Sequence, residues 1–152
     1  MPEGEAMQEI KVKKLREHAK LPVYATADAA AADLCSAEAG PVTVAPGETV
    51  VIHTGIAVEL PSGFAGFVYA RSGLATKRGL APANKVGVID ADYRGEILVS
   101  LHNHSAIPAT LEPGERIAQL LIAPAPQFSF TEVPELSDTV RGTGGFGSTG
   151  RK

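Results

Sequence analysis

Eleven residues near the middle of the chain hold most of its chemical potential: Gly87-Val88-Ile89-Asp90-Ala91-Asp92-Tyr93-Arg94-Gly95-Glu96-Ile97. Apolar runs at Lys85–Ile89 and Ile97–Leu101 bracket a polar connection containing two carboxylates, an aromatic ring and an arginine. Apolar runs around a short polar turn predict a β-hairpin. Turn geometry alone does not require Asp, Asp, Tyr and Arg together. A carboxylate at a strand end beside an aromatic face can present a base to a ringed substrate.

Other positions add to this. Arg71-Ser72-Gly73 opens a short helical pattern, and a cation beside a helix N-terminus suits a phosphate. An ordinary cap with a surface arginine fits the same triplet. Asn84 precedes the first apolar run, and its amide offers both a donor and acceptors. It equally suits a turn in which Asn bonds its own backbone. Gln119 interrupts an apolar strand and needs a polar partner, structural or functional. Arg141 and Phe146 lie in Arg141-Gly142-Thr143-Gly144-Gly145-Phe146-Gly147-Ser148-Thr149-Gly150, which holds five glycines in ten residues. Such a segment does not fold alone, yet a flexible strip with a phosphate-binding arginine and a stacking ring suits a lid.

These residues need a scaffold, and the punctuation is that of a β protein. Ala45-Pro46-Gly47-Glu48 and Glu112-Pro113-Gly114-Glu115 each place Pro before Gly, as a type II turn requires. Leu60-Pro61-Ser62-Gly63 marks a further turn. Short apolar or alternating runs fall at 42–44, 48–53, 56–60, 64–70, 85–89, 96–102, 109–111, 116–123 and 128–133. Many short strands between Pro/Gly turns predict an all-β sandwich or jelly roll. One helix is expected over Ser72–Arg78, with Ser72 as N-cap, Lys77 and Arg78 in the last turn and Gly79 as terminator. The alanine-rich stretch Ala27–Leu34 lacks clear periodicity and stays open. Residues 1–136 read as one catalytic domain and 137–152 as a mobile arm. Residues 1–6 read as a solvated tail, with Met7 an alternative start and no targeting peptide.

Bulk properties exclude several classes. The chain has 152 residues and a net charge of −3, so no basic field exists to hold nucleic acid. No apolar run approaches the ~18 residues of a membrane span. The single Cys35 excludes an internal disulfide, fits a reducing cytoplasm and reads as core packing. His102 and His104 share a strand face without a third ligand and read as structural.

Five segments together resemble the motifs of the dUTP diphosphatases (dUTPases), in that family's order. They are Ala31-Ala32-Asp33-Leu34, Ala70-Arg71-Ser72-Gly73-Leu74-Ala75, the Gly87–Ile97 segment, Gly114-Glu115-Arg116-Ile117-Ala118-Gln119-Leu120, and the glycine-rich arm. The resemblance implies a distorted jelly roll, a homotrimer with shared active sites, and Mg²⁺-dependent hydrolysis of dUTP to dUMP and pyrophosphate. That reaction removes dUTP and supplies dUMP for thymidylate synthesis. It implies Asp90 as the base activating water for attack on the α-phosphorus. Arg71, Ser72 and Gly73 would hold the β- and γ-phosphates. Asn84, Gly87, Val88, Ile89 and Leu98 would read uracil, largely through backbone groups, and Tyr93 would pack on the deoxyribose. Asp33 and Gln119 would meet Mg²⁺ through water. Arg141 would bind the γ-phosphate and Phe146 would stack on uracil, with Gly147 and Ser148 in the same arm. Asp92 and Arg94 are left to hairpin structure, an ion pair among the options, and Arg116 to a structural ion pair. Two rivals remain: a dCTP deaminase of the same fold, which would use a glutamate on the base, and a non-catalytic nucleotide-binding jelly roll.

Overall fold

The computed structural model describes residues 7–147 and 149–150. Eleven strands and one helix follow in the order β1 (Lys11–Lys14), β2 (Ala32–Cys35), β3 (Val42–Val44), β4 (Thr49–His53), β5 (Ile56–Glu59), β6 (Phe64–Tyr69), α1 (Ser72–Arg78), β7 (Leu80–Pro82), β8 (Gly87–Ile89), β9 (Leu98–Asn103), β10 (Ala109–Leu111) and β11 (Arg116–Pro124). They form a four-stranded sheet β2-β11-β6-β8, a three-stranded sheet β4-β9-β7, and the pairs β1-β5 and β10-β3. Every strand pairing is antiparallel. The architecture is all-β with one short helix.

The two Pro-Gly turns share one construction. Glu48 N–H donates to the Ala45 carbonyl while the Glu48 carboxylate accepts from Ala45 N–H. Glu115 and Glu112 repeat that exchange. Gly47 at φ 76° and Gly114 at φ 78° occupy the left-handed position that Gly tolerates without a Cβ clash. Each turn thus satisfies its own backbone before handing the chain to a strand.

The helix spans the expected residues, but its cap differs. Arg71 occupies the N-cap position in extended conformation without a side-chain capping bond, and Ser72 is the first helical residue. Gly79 terminates the helix at φ 71°, where a Cβ would lie 2.5 Å from the Ser105 Cβ. Ala27–Leu34 is not helical: Ala32–Cys35 forms β2, with Ala32 and Leu34 buried and Asp33 and Cys35 partly exposed. That period of two was hidden by the preceding alanines. Strand β1 was not expected, because Lys-Val-Lys-Lys lacks an apolar face and forms through pairing with β5. The short β7 was also missed.

Two further expectations are corrected. Residues 128–133 form no strand, and Phe128 and Phe130 are 76% and 101% exposed. A strand needs a partner for its backbone, and among the described residues none pairs with this segment. The expected hairpin around residue 90 is not a paired ladder. β8 pairs with β6, whereas β9 pairs with β4 and β7, so its two legs enter different sheets.

The core is continuous across these sheets, with Val44, Ile52, Ile56, Leu80, Leu101 and Ile117 fully buried. Asn103 is also 0% exposed. Its amide nitrogen donates to the Val44 and Ile107 carbonyls at 2.9 and 2.8 Å. Its oxygen accepts from Ser105 N–H and Oγ at 2.9 and 2.8 Å. Among His102, Asn103 and His104, the buried structural residue is therefore the asparagine. His102 meets only the Thr49 hydroxyl, at 2.9 Å, and His104 is exposed.

Asn103→Ala should destabilise the protein by about 1–3 kcal/mol for each buried group left without a partner. Urea unfolding of the purified variant measures this loss, and an unchanged midpoint would contradict the assignment.

Candidate active site

Because β8 and β9 diverge, a cavity of about 230 Å³ opens between them. Its lining includes Asn84, Gly87, Val88, Ile89, Asp90, Tyr93, Glu96 and Leu98. Asn84, Gly87, Val88, Ile89, Asp90, Tyr93 and Leu98 are therefore gathered in one place, with Glu96 as an addition, whereas Phe146, expected on the same ring, is not among them. The volume lies below the roughly 300–1,000 Å³ of drug-sized sites and suits a single ring.

Backbone groups face this gap. Ala83 N–H donates to the Ser100 carbonyl at 2.8 Å, so Ser100 turns its polar groups away from β4. Alternate residues of an antiparallel strand point the same way, which turns the Leu98 N–H and carbonyl toward the gap. There β9 has no neighbouring strand, since β7 pairs only with Leu101, His102 and Asn103. The gap therefore presents a donor and an acceptor side by side, the edge a missing strand would have filled.

The turn after β8 is held firmly. Tyr93 N–H bonds the Asp90 carbonyl at 3.1 Å. The Tyr93 hydroxyl donates to the Glu96 carbonyl at 2.7 Å. The ring lies over Gly95, where a Cβ would meet the Tyr93 oxygen at 2.6 Å, so only Gly fits. Arg94 donates to the Ala91 carbonyl and pairs with Glu59 at 3.7 Å, rather than with Asp92. Asp90 is exposed. Burial raises the pKa of Glu96, but hydrogen bonds from His53 and the Gly55 N–H, with the charges of His53 and Arg16, outweigh it. Its pKa is lowered as a result. Asn84 makes no Asx-type bond; its carbonyl accepts from Val86 N–H, and the backbone reverses at Lys85, φ 64°.

A second cluster joins Asp33, Arg71, Ser72, Gly73 and Gln119 around another cavity. Register explains the grouping, since Gln119 of β11 lies opposite both Asp33 of β2 and Tyr69 of β6. Gln119 Nε2 donates to the Ala70 carbonyl at 2.9 Å and so fixes the residue preceding Arg71. Asp33 is bracketed by Arg71 at 3.1 Å and Arg116 at 3.8 Å. Gly73 has open space where a Cβ would project. Nearby Cys35 is partly exposed, not core. Burial raises its pKa, Lys20 lowers it, Asp33 raises it, and Arg116 and Arg71 lower it; the net shift is upward, which keeps the thiol protonated.

The arm residues form a third group. Arg141 donates to the Gly144 carbonyl at 2.6 Å, and Phe146 is fully exposed. Among the described residues, no hydrogen bond or ion pair joins residues 137–150 to the strands. Gly147 lies in the same group, whereas Ser148 is outside the described residues.

The first two groups are apart within one chain. Ile89 faces Gly66, which sets Asp90 level with Ala65, six residues before Arg71. At ~3.3 Å per residue that is roughly 20 Å along the strands. Arg71 moreover reaches toward Asp33 on β2, three strands across the sheet from β8.

Comparison with known proteins bears on this arrangement. The chain is 49% identical over 142 residues to the deoxyuridine 5'-triphosphate nucleotidohydrolase of Thermobifida fusca, covering 93% of this chain and 78% of that one. The dUTPase of Staphylococcus bacteriophage 80alpha, solved with dUpNHpp, superposes with a TM-score of 0.87 at 31% identity, covering 95% of this chain and 100% of that one. A mutant dUTPase from phage phi11 of S. aureus, described with a structural Mg(II) ion, gives a TM-score of 0.76 at 26% identity, covering 84% and 98%. The dUTPase family model matches residues 17–150, and the chain belongs to the dUTPase family.

Proposed function

We propose that the protein hydrolyses dUTP to dUMP and pyrophosphate. The observation that carries this reading is the cavity between β8 and β9, with the Leu98 backbone at its edge, Tyr93 in its wall and Asp90 at its rim. A uracil edge supplies the acceptor and donor that answer an N–H and a carbonyl. Gly87, Val88, Ile89 and Asn84 close the remaining sides, and Tyr93 faces the deoxyribose, where it opposes a 2′-hydroxyl.

Asp90 accepts a proton from a water molecule as its oxygen attacks the α-phosphorus. The bond from the α-phosphorus to the bridging oxygen breaks, dUMP gains the water oxygen, and pyrophosphate leaves. Exposure keeps the Asp90 carboxylate hydrated until substrate covers it. Arg71 offers the β- and γ-phosphates a charged, forked donor, and the unfilled space at Gly73 lets them approach the Ser72–Gly73 backbone.

Among the described residues, no three His, Cys, Asp or Glu side chains converge as a metal site. Asp33 and Gln119, opposite each other on β2 and β11, offer side-chain oxygens of the kind that fits Mg²⁺, which keeps several waters and prefers phosphate oxygens to a protein cage. Asp33 and Gln119 would hold its water shell. Bound there, Mg²⁺ would neutralise phosphate charge.

The roughly 20 Å between Asp90 and Arg71 supports sites shared between copies of a homotrimer. One copy contributes the nucleoside cavity and another the Asp33–Arg71–Gln119 cluster. The arm, residues 137–152, acts as the mobile lid over the domain of residues 1–136, with Phe146 on uracil and Arg141 on the γ-phosphate. Such an enzyme belongs in the cytoplasm with the nucleotide pool; no helix of the described residues is long and apolar enough to cross a membrane. A deaminase reading is disfavoured because Glu96 is engaged by His53 and Gly55 and is not free to act on a base.

Asp90→Asn should lower kcat by about 10²–10⁴ while retaining affinity for a non-hydrolysable dUTP analogue. Pyrophosphate release and calorimetry together read this; near-normal kcat would remove Asp90 from the role. Ammonia release from dCTP would instead favour the deaminase.

Mixing full-length Asp90→Asn with full-length Arg71→Ala chains should restore activity that neither variant has alone, because some mixed sites regain both groups. No recovery in confirmed mixed oligomers would place both residues in one subunit's site.

Deleting residues 140–152 should reduce kcat/KM at least about a hundredfold, through lost stacking and arginine contacts. The melting temperature should hardly move, since those residues join no core. A large fall in melting temperature would show the arm to be structural.

A further inference from the structure

Glu96 sits where two separate sets of bonds meet, and no role in binding or chemistry accounts for it. Its backbone carbonyl accepts the Tyr93 hydroxyl at 2.7 Å. Its carboxylate meets His53 Nδ1 at 3.0 Å and accepts Gly55 N–H at 3.0 Å. His53 in turn is fixed on β4, its N–H donating to Glu38 at 2.8 Å, and Glu38 is paired with Arg16 at 3.4 Å. A continuous line of polar contacts therefore runs from Arg16 through Glu38, His53 and Glu96 to the Tyr93 ring.

Stability does not explain this line. The His53 side chain is 36% exposed and that of Glu96 19%, and partly solvated pairs contribute little to folding. The backbone there is already anchored by its neighbour. Ile97 is 2% exposed, its N–H donates to the Ile56 carbonyl, and its own carbonyl accepts the Thr54 hydroxyl at 2.5 Å. What Ile97 cannot fix is the seven-residue turn Asp90–Glu96 before it, where Asp90, Asp92, Tyr93 and Arg94 are all exposed. A side chain on such a turn keeps one place only if something outside the turn holds it.

We infer that Glu96 is a positioning residue, whose carboxylate fastens the Asp90–Glu96 turn to β4 and so sets the depth of the Tyr93 ring in the nucleoside cavity. The inference rests on the dUTP reading above and adds the device that makes sugar selection sharp. Tyr93 excludes a 2′-hydroxyl only while its ring stays close; with the turn loosened, the ring retreats and a ribose fits. The low pKa of Glu96 agrees with a carboxylate that stays ionised in this place.

The test compares wild type, Glu96→Ala, Glu96→Gln, His53→Ala and the Glu96→Ala/His53→Ala double variant, using pyrophosphate release from dUTP and UTP and thermal melting. Wild-type turnover of dUTP is measured first, and its absence would overturn the functional reading itself. With that turnover established, Glu96→Ala should raise KM for dUTP about tenfold. It should change kcat less than about threefold and lower the dUTP/UTP ratio of kcat/KM about tenfold or more. Glu96→Gln, which still accepts from Gly55, should stay within about threefold of wild type. The double variant should resemble Glu96→Ala, because both changes cut one line. If Glu96→Ala does not fold, His53→Ala reports the same loss of discrimination from the other end. An unchanged dUTP/UTP ratio in the folded variants, whatever their melting temperatures, would overturn the inference.

Discussion

The separation of β8 from β9 is the constraint on which the rest of this molecule depends. A paired hairpin would satisfy its own backbone and leave no place for a base. Here β6 takes β8 into one sheet, while β4 and β7 occupy β9 along most of its length. The Leu98 groups are left facing a gap. In the proposed reading, selectivity would follow from that geometry, because backbone donors and acceptors have fixed directions and cannot rotate to suit another base. The turn joining the strands must then span two sheets, which is why it is long, polar and held at several points.

A second consequence follows from sheet order. In β2-β11-β6-β8 the phosphate cluster forms where β2, β11 and the end of β6 meet, and the nucleoside cavity forms beyond the opposite edge. One sheet thus carries both halves of the proposed site, pointing apart. In the proposed homotrimer, assembly of several copies would convert this separation into proximity; the strandless segment 128–133 leaves Phe128 and Phe130 uncovered within one chain.

The legible parts of the sequence were those governed by local rules. Pro-Gly turns, the Gly79 terminator and strands with clear apolar alternation could be read because the signal lies within a few residues. The misread parts depend on partners distant in sequence. Lys11–Lys14 becomes a strand only beside β5. Phe128–Val133 has strand composition without a strand partner among the described residues. The residues lining the nucleoside cavity were legible through their resemblance to a family, but the gap that makes it a cavity was not, since nothing local states that two adjacent runs join different sheets. Glu96 was overlooked for the same reason: its anchors, His53 and Gly55, lie some forty residues earlier. Its signal was only that a carboxylate beside an apolar strand start needs a partner.

The electrostatics complete the account. A chain with net charge −3 must bind a substrate that is itself strongly anionic, so attraction at long range is absent and local placement must suffice. Arg71 and Arg116 are already engaged by Asp33, which keeps both cations oriented before any phosphate arrives. In the proposed reading, phosphate oxygens would draw Arg71 toward themselves while Arg116 stays beside Asp33. Preorientation lowers the entropy cost of fixing a flexible arginine at the moment of binding. The same logic governs Tyr93 and Glu96 across the molecule. Arg71 is held by the Asp33 carboxylate itself, and Tyr93 by the backbone carbonyl of Glu96, whose carboxylate is fastened in turn to His53 and Gly55.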